Sequence, residues 1–82
     1  MPVKKWEVKS GQLFKKINFK HYKDALDFAM KVGRIAELKN HHPKIIIDYL
    51  SVEIFLYTHD KNAITEKDHD MAEMIDHLID EV

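Results

Sequence analysis

The hydrophobic residues of this chain change their spacing along its length, and these changes constrain the fold more than any other feature. Apolar and polar side chains alternate in residues 3–9 and 12–19, as in half-buried β-strands. Residues 21–39 then follow a helical spacing. Residues 44–50 and 52–58 return to a strand-like composition, rich in Ile, Val, Tyr and Phe. The pattern therefore predicts two pairs of strands separated by a helix.

The first pair of strands is predicted to form a hairpin at Ser10-Gly11, because glycine readily adopts the positive φ of a two-residue turn. A turn centred there pairs Val8 with Leu13. One face of the hairpin then carries Trp6, Val8, Leu13, Ile17 and Phe19. The opposite, solvated face carries Lys5, Glu7, Lys9, Lys16 and Asn18. Register and hydrophobic pattern agree, which favours this pairing.

Each predicted helix has a buried stripe at helical spacing. The stripe of the first comprises Tyr22, Ala25, Leu26, Ala29, Val32, Gly33 and Ala36. The stripe of the second comprises Met71, Ala72, Ile75, Leu78, Ile79 and Val82. Thr65 and Asp68 have the spacing of a capping box at the start of the second helix. The order ββαββα predicts one α+β domain over residues 1–82, with a four-stranded antiparallel sheet and both helices on one face.

The composition limits the classes of protein to which the chain can belong. Its 13 Lys and Arg and 14 Asp and Glu give a formal charge of −1, which argues against direct nucleic-acid binding. The sequence contains no apolar run long enough to span a bilayer and no signal-peptide pattern, so we expect a soluble cytoplasmic protein without membrane contact. The 82 residues include no cysteine. Disulfides therefore cannot supplement so small a core, and we expect homo-oligomers.

Three of the six histidines are candidates for function because they lie at predicted strand ends. They are His41, His42 and His59, whereas His21, His69 and His77 are predicted to be surface residues. Polar loop residues without chemistry remain an alternative for all three candidates. A metal site is disfavoured, because adjacent residues of an extended segment point in opposite directions. Acid–base chemistry suits the imidazoles, which titrate near neutrality.

The spacing of these residues resembles the pterin-4a-carbinolamine dehydratase family. That family has a polar or acidic residue, three intervening positions and then His-His-Pro, followed by an aromatic residue, a histidine and an aspartate at set distances. The matching residues here are Glu37, His41, His42, Pro43, Tyr49, His59 and Asp68. Three departures accompany the match. The helix that commonly precedes the family's tryptophan is missing before Trp6, Ala63 stands where a glycine is usual, and Ile45 stands where an aromatic residue is common. Ile45 is thus expected to alter contacts with a pterin or a protein partner.

The resemblance implies dehydration of a 4a-hydroxytetrahydropterin to the quinonoid dihydropterin, which recycles the cofactor of aromatic amino acid hydroxylases. It places His41 and His59 beside the departing hydroxyl and His42 beside N5 as the base, with Glu37 and Asp68 as orienting carboxylates. The implied substrate-binding residues are Asn40, His41, His42, Pro43, Tyr57, Thr58, His59 and Asp60. It further implies no metal or organic cofactor, a homodimer or homotetramer, and a hydroxylase as a partner. The alternative is a non-catalytic protein-interaction or regulatory module on the same fold.

Overall fold

The computed structural model describes residues 6–80 and has the predicted element order. The elements are β1 (Glu7–Lys9), β2 (Gln12–Asn18), α1 (Tyr22–Lys39), β3 (Lys44–Asp48), β4 (Ser51–Leu56), a 3₁₀ turn (His59–Lys61) and α2 (Glu66–Asp80). The predicted positions at residues 1–5 and at Val82 lie outside the described residues, as does any helix before Trp6. Neither α1 nor α2 is long and apolar enough to cross a membrane.

The four strands form one antiparallel sheet in the order β1-β2-β4-β3. Val8 lies opposite Leu13, as the hairpin predicts, and Gly11 has a φ of 75° in the turn. The second pair of strands is shorter than predicted, because Tyr49 adopts a φ of 53° and ends β3 in a tight turn before β4. The four-stranded antiparallel sheet and the order of the elements along the chain are thus confirmed, and the α+β fold with them.

The core lies between one sheet face and the two helices. Its buried side chains include Leu13, Val52, Ile54 and Leu56 from the strands, Ala25, Phe28, Val32 and Ala36 from α1, and Met71, Ala72 and Ile75 from α2. The predicted stripe of α1 was partly wrong, since Tyr22 and Leu26 are exposed and Phe28 is buried. The physical reason is that the buried stripe is centred on the small alanines of α1. This centring brings Phe28 against Phe19, with ring centroids 5.3 Å apart, and leaves Tyr22 and Leu26 at the rim.

The helix-covered face also contains a charged residue that the hydrophobic pattern did not predict to be buried. Lys15 shares this face with Leu13 and Ile17, and its side chain is only 2% exposed. Its Nζ lies 2.7 Å from Asp76 Oδ1, which also accepts a hydrogen bond of 2.9 Å from Trp6 Nε1. The buried cation is therefore paired with a carboxylate of α2, as a charge in such a place must be.

The opposite sheet face carries Phe14 and Phe55, whose ring centroids are 4.9 Å apart. The ammonium groups of Lys9 and Lys44 lie 4.6 Å and 5.3 Å from the centroids of these two rings. Phe14 is buried as a result. The residues of this face therefore cover much of their own aromatic surface.

Candidate active site

The end of α1 directs the two adjacent histidines away from the helix. Asn40 adopts the left-handed conformation, with φ 50° and ψ 44°, and its N–H donates to the last turn of α1. Asparagine tolerates this conformation better than most residues, and it commonly ends helices in this way. His41 N–H then bonds to Ala36 O at 3.0 Å, after which the chain extends into β3. The reversal places His41 and His42 at the junction of helix and sheet.

His41 is paired with a fully buried carboxylate. Its Nε2 lies 2.6 Å from Asp68 Oδ1, and the side chains are 12% and 0% exposed. The other oxygen, Asp68 Oδ2, accepts the Thr58 hydroxyl at 2.7 Å and the Thr65 backbone N–H at 2.9 Å. The Thr65 contact is the predicted capping interaction. Asp68 thus caps α2 with one oxygen and binds His41 with the other.

These hydrogen bonds keep Asp68 ionised. Burial raises the pKa of its carboxyl, but the hydrogen bonds from Thr58, Thr65 and His41, together with the charge of His41, outweigh burial. The pKa of Asp68 therefore lies below its ordinary value of 3.8. Since an ionised carboxylate only accepts hydrogen bonds, His41 Nε2 must carry a proton. Nδ1 of the same ring is left for other chemistry.

His42 is also paired with a carboxylate, but this pair lies in solvent. Its Nε2 is 2.5 Å from Glu37 Oε2, on the last turn of α1. The side chains of His42 and Glu37 are 55% and 78% exposed. Because water surrounds both groups, either can exchange protons with solvent directly.

His59 comes from the other side of the site, at the start of the 3₁₀ turn that follows β4. It is exposed, and the ring of Tyr57 meets it edge to face with centroids 5.3 Å apart. The Tyr57 hydroxyl donates to Asn62 Oδ1 at 3.2 Å. Tyr57 is thereby tied to the far end of the turn, and its ring supports that of His59.

The turn after β4 also explains how the chain tolerates Ala63. Asn62, not Ala63, takes the left-handed conformation, with a φ of 51°. Ala63 instead forms a short antiparallel bridge with Thr58. The position that glycine often occupies in the family therefore needs no glycine here.

A cleft of about 240 Å³ joins these groups. It is lined by Asn40, His41, His42, Thr58, His59, Asp60 and Lys67. The structure thus brings six of the eight predicted substrate-binding residues together. Pro43 and Tyr57 do not line the cleft, although Tyr57 contacts His59, and the motif residue Tyr49 lies in the distant β3–β4 turn.

Lys67 is the lining residue that sequence reasoning missed. It lies in the first turn of α2, one position before Asp68. The capping box at Thr65 and Asp68 was the available signal, because it fixes this turn next to the histidines. Ile45, in contrast, packs against the core opposite Ile54 and does not line the cleft.

Within residues 6–80, no group of three His, Asp or Glu side chains is arranged to hold a metal ion. In the same part of the chain, every buried side-chain nitrogen and oxygen has a hydrogen-bond partner. The site is thus a small cleft bordered by three imidazoles, two of them held by carboxylates. Such an arrangement is suited to moving protons at a bound molecule.

The sequence matches the family described as pterin 4 alpha carbinolamine dehydratase over residues 1–78. A protein of Sulfurisphaera tokodaii, provisionally named a pterin-4-alpha-carbinolamine dehydratase, is 39% identical over 77 residues, which are 94% of this chain and 83% of that protein. A protein of Herpetosiphon aurantiacus with the same provisional name is 41% identical over 73 residues, covering 89% of this chain and 76% of that one. The chain belongs to the pterin-4-alpha-carbinolamine dehydratase family.

Solved structures agree with this assignment. A protein described as a transcriptional coactivator/pterin dehydratase, from Brucella melitensis, superposes with a TM-score of 0.82 at 30% identity and covers 88% of this chain and 79% of its own. A pterin dehydratase-like protein identified as a RuBisCO assembly factor in the alpha-carboxysome has a TM-score of 0.73 at 24% identity, covering 90% of this chain and 86% of its own. At that identity the second likeness shows the fold alone.

Proposed function

We propose that this protein dehydrates a 4a-hydroxytetrahydropterin to the quinonoid dihydropterin by histidine acid–base catalysis. The observation that carries the proposal is the single cleft bordered by His41, His42 and His59, in a chain of this family. Two of the imidazoles have their own carboxylate, and these carboxylates differ in burial. Such a difference is what two groups with different proton-transfer roles require.

The reaction needs two proton transfers and no change of oxidation state. One proton leaves N5 of the tetrahydropterin, and the electrons of that N–H bond form the C4a=N5 double bond. The C4a–O bond breaks, and the departing hydroxyl takes a second proton and leaves as water. Both protons can be handled by imidazoles, since an imidazole ring can both accept and donate a proton.

We assign His41 to the hydroxyl as the acid. The ionised Asp68 fixes its Nε2–H and stabilises the imidazolium form of the ring. In that form Nδ1 also carries a proton, which it can donate to the leaving hydroxyl. His59, which also lines the cleft, is assigned as a second donor that orients the hydroxyl.

We assign His42 to N5 as the base. The Glu37 carboxylate stabilises the imidazolium that forms when His42 accepts the N5 proton. Because both side chains are exposed, the proton can return to solvent after each turnover. Asn40, Thr58, Asp60 and Lys67 complete the walls that hold the pterin.

The wider setting follows from this chemistry. The reaction as written uses no metal and no organic cofactor, and an aromatic amino acid hydroxylase in the cytoplasm is the reaction partner that would supply the substrate.

We further propose that the protein is a homodimer, which can pair into a homotetramer. The reason remains the small core without disulfides; the aromatic residue Phe14 on the helix-free sheet face does not add to it, because Phe14 is buried within the subunit. Among the residues whose burial the structure describes, the exposed large apolar side chains are Val8, Tyr22, Leu26, Met30, Leu38, Ile46, Ile47 and Tyr49, which a second subunit could cover. Light scattering that shows only a 9.7 kDa species at micromolar concentration would contradict the dimer.

A turnover assay tests the proposed function. Carbinolamine is generated enzymatically or chemically, and its loss is followed optically with and without the purified protein. We expect acceleration over the spontaneous reaction, and we expect that His42→Ala abolishes most of it. Equal rates with wild-type protein and without protein would reject the dehydratase and favour a non-catalytic interaction module.

A further inference from the structure

The Thr58 hydroxyl occupies a central position beneath the cleft. Thr58 follows β4 and is only 5% exposed. Its Oγ1 lies 2.7 Å from Asp68 Oδ2 and also 2.7 Å from Thr65 Oγ1. A hydroxyl has one proton, and an ionised carboxylate can only accept. Thr58 therefore donates to Asp68, and the Thr65 hydroxyl donates to Thr58.

The result is a directed chain of hydrogen bonds that ends on the catalytic histidine. The Thr65 hydroxyl donates to Thr58, Thr58 donates to Asp68 Oδ2, and His41 Nε2–H donates to Asp68 Oδ1. Successive hydrogen bonds of this kind polarise and strengthen one another in a low-dielectric interior. With Oδ2 occupied by Thr58 and by the Thr65 N–H, only Oδ1 remains for His41.

The backbone holds the Thr58 hydroxyl in place. Thr58 N–H donates to Ala63 O at 3.1 Å, and Ala63 N–H donates to Thr58 O at 3.4 Å. These two bonds close the turn that carries His59. The position of Thr58 is therefore fixed independently of its contact with Asp68.

We propose that Thr58 is a positioning residue for His41: its hydroxyl holds the Asp68 carboxylate so that Oδ1 faces the His41 ring, which fixes the ring with Nε2–H on Asp68 and with Nδ1 available to the substrate. This inference rests on the proposed function and adds a role to a residue that had been assigned only as part of the pterin-binding wall. Several charged or titratable groups surround this series of hydrogen bonds. They are His42, His59, Asp60 and Lys67 in the cleft, and Lys39 and Asp70 in the neighbouring cavity beside His41. None of these makes a described hydrogen bond to Asp68 or Thr58.

The experiment compares Thr58→Val, which keeps the shape and removes the hydroxyl, with Thr58→Ser, which keeps the hydroxyl. Ser51→Ala is the matched control, since it removes another buried hydroxyl, bonded to Asp48 O, at the other end of β4. We expect Thr58→Val to lower kcat by about tenfold, the size of one hydrogen bond to a charged group, with little change in KM. Ser51→Ala should retain wild-type kcat, and Thr58→Ser should restore most of the kcat that Thr58→Val loses.

A second readout is independent of turnover. Proton NMR detects the Nε2–H of His41 when that proton is held in a hydrogen bond to Asp68 Oδ1. We expect a slowly exchanging downfield Nε2–H signal in the wild type, Thr58→Ser and Ser51→Ala, and a signal that exchanges faster with water or is lost in Thr58→Val. This readout decides the role of Thr58 even if the turnover assay shows no dehydratase activity.

Two results would overturn the positioning role. One is an unchanged His41 Nε2–H signal in Thr58→Val, whatever happens to kcat. The other is a change in Thr58→Val that Ser51→Ala reproduces, since it would then reflect general loss of a buried hydrogen bond. If Thr58→Val does not fold, the wild-type protein decides the question. The Thr58 hydroxyl proton must then give a slowly exchanging NMR signal, and free exchange with water would reject the proposal.

Discussion

The His41–Asp68 and His42–Glu37 pairs each join an imidazole to a carboxylate, but they lie in different environments. Asp68 is fully buried, and both of its carboxylate oxygens accept hydrogen bonds from protein groups. Glu37 is 78% exposed and has water as an alternative partner. A buried charge must be completely satisfied by fixed donors, whereas an exposed charge pair is screened and contributes little to stability. One pair is thus part of the folded framework, and the other is part of the surface.

This difference in burial implies that the two pairs contribute differently to stability and to catalysis. Changes at the buried pair should affect folding and catalysis together, because Asp68 also caps α2. Changes at the exposed pair should affect catalysis alone. The following four predictions test this separation, from the largest expected effect to the smallest.

The largest effect is expected for His42→Ala. Removing the base should lower kcat by about 10²–10⁴-fold, the usual contribution of a positioned acid or base, with a much smaller change in KM. The free energy of unfolding should change by less than about 0.5 kcal/mol, because His42 is exposed. Steady-state kinetics and urea denaturation give the two quantities. A variant that binds substrate more weakly at unchanged kcat would remove His42 from the role of base.

Asp68→Asn should reduce both activity and stability. The amide keeps the size of the carboxylate but loses its charge and one acceptor oxygen. We expect the free energy of unfolding to fall by about 1–3 kcal/mol and kcat to fall by at least about tenfold. Glu37→Gln is the matched variant on the exposed pair, and it should change the free energy of unfolding by less than about 0.5 kcal/mol. Equal losses of stability in the two variants would show that burial does not distinguish the pairs.

The pH dependence of stability should identify Asp68. Its folded pKa lies below the ordinary value of 3.8, so its ionised form stabilises the protein above that pH, and this contribution is lost as the pH falls through the folded pKa. We therefore expect the wild type to lose stability more steeply than Asp68→Asn below pH 3.8. Urea denaturation at several acidic pH values measures both slopes. Parallel curves would mean that Asp68 titrates at the same pH in the folded and unfolded states.

The smallest effect is expected on removal of metal ions. In both pairs the imidazole Nε2 is bonded to a carboxylate oxygen, and the proposed reaction uses only proton transfers. Exhaustive chelation should leave kcat and the thermal midpoint unchanged. A fall in either that zinc restores would show that one of the two pairs holds a metal, and the acid–base assignment would then be replaced.

The sequence predicted which residues belong to the candidate site better than it predicted which of them contact one another. The spacing of His41, His42, His59 and the two carboxylates identified the set, and the capping box predicted that Asp68 would receive the Thr65 N–H. The sequence did not indicate which histidine meets which carboxylate. His41 and Asp68 are 27 residues apart, and their contact depends on how α1 and α2 end beside the sheet.

The burial of two further residues could not be predicted from the local sequence pattern. Lys15 was not predicted to be buried, because its partner Asp76 is 61 residues away on α2. Phe28 was missed because the hydrophobic stripe of α1 has more apolar residues than the core can cover. Tyr22 and Leu26 fit the same periodicity and remain exposed. Helical spacing identifies a face, but the neighbouring elements decide how much of that face is buried.

The sequence by itself determined what depends on neighbours along the chain. Alternation, the Ser10-Gly11 turn and the Thr65–Asp68 cap set the elements and the register of the first hairpin, because each depends on residues a few positions apart. Tertiary structure alone decided the environment of each charge. Burial depends on what packs over a residue from distant parts of the chain, and for this reason Asp68 became an internal anchor for His41 while Glu37 remained in water.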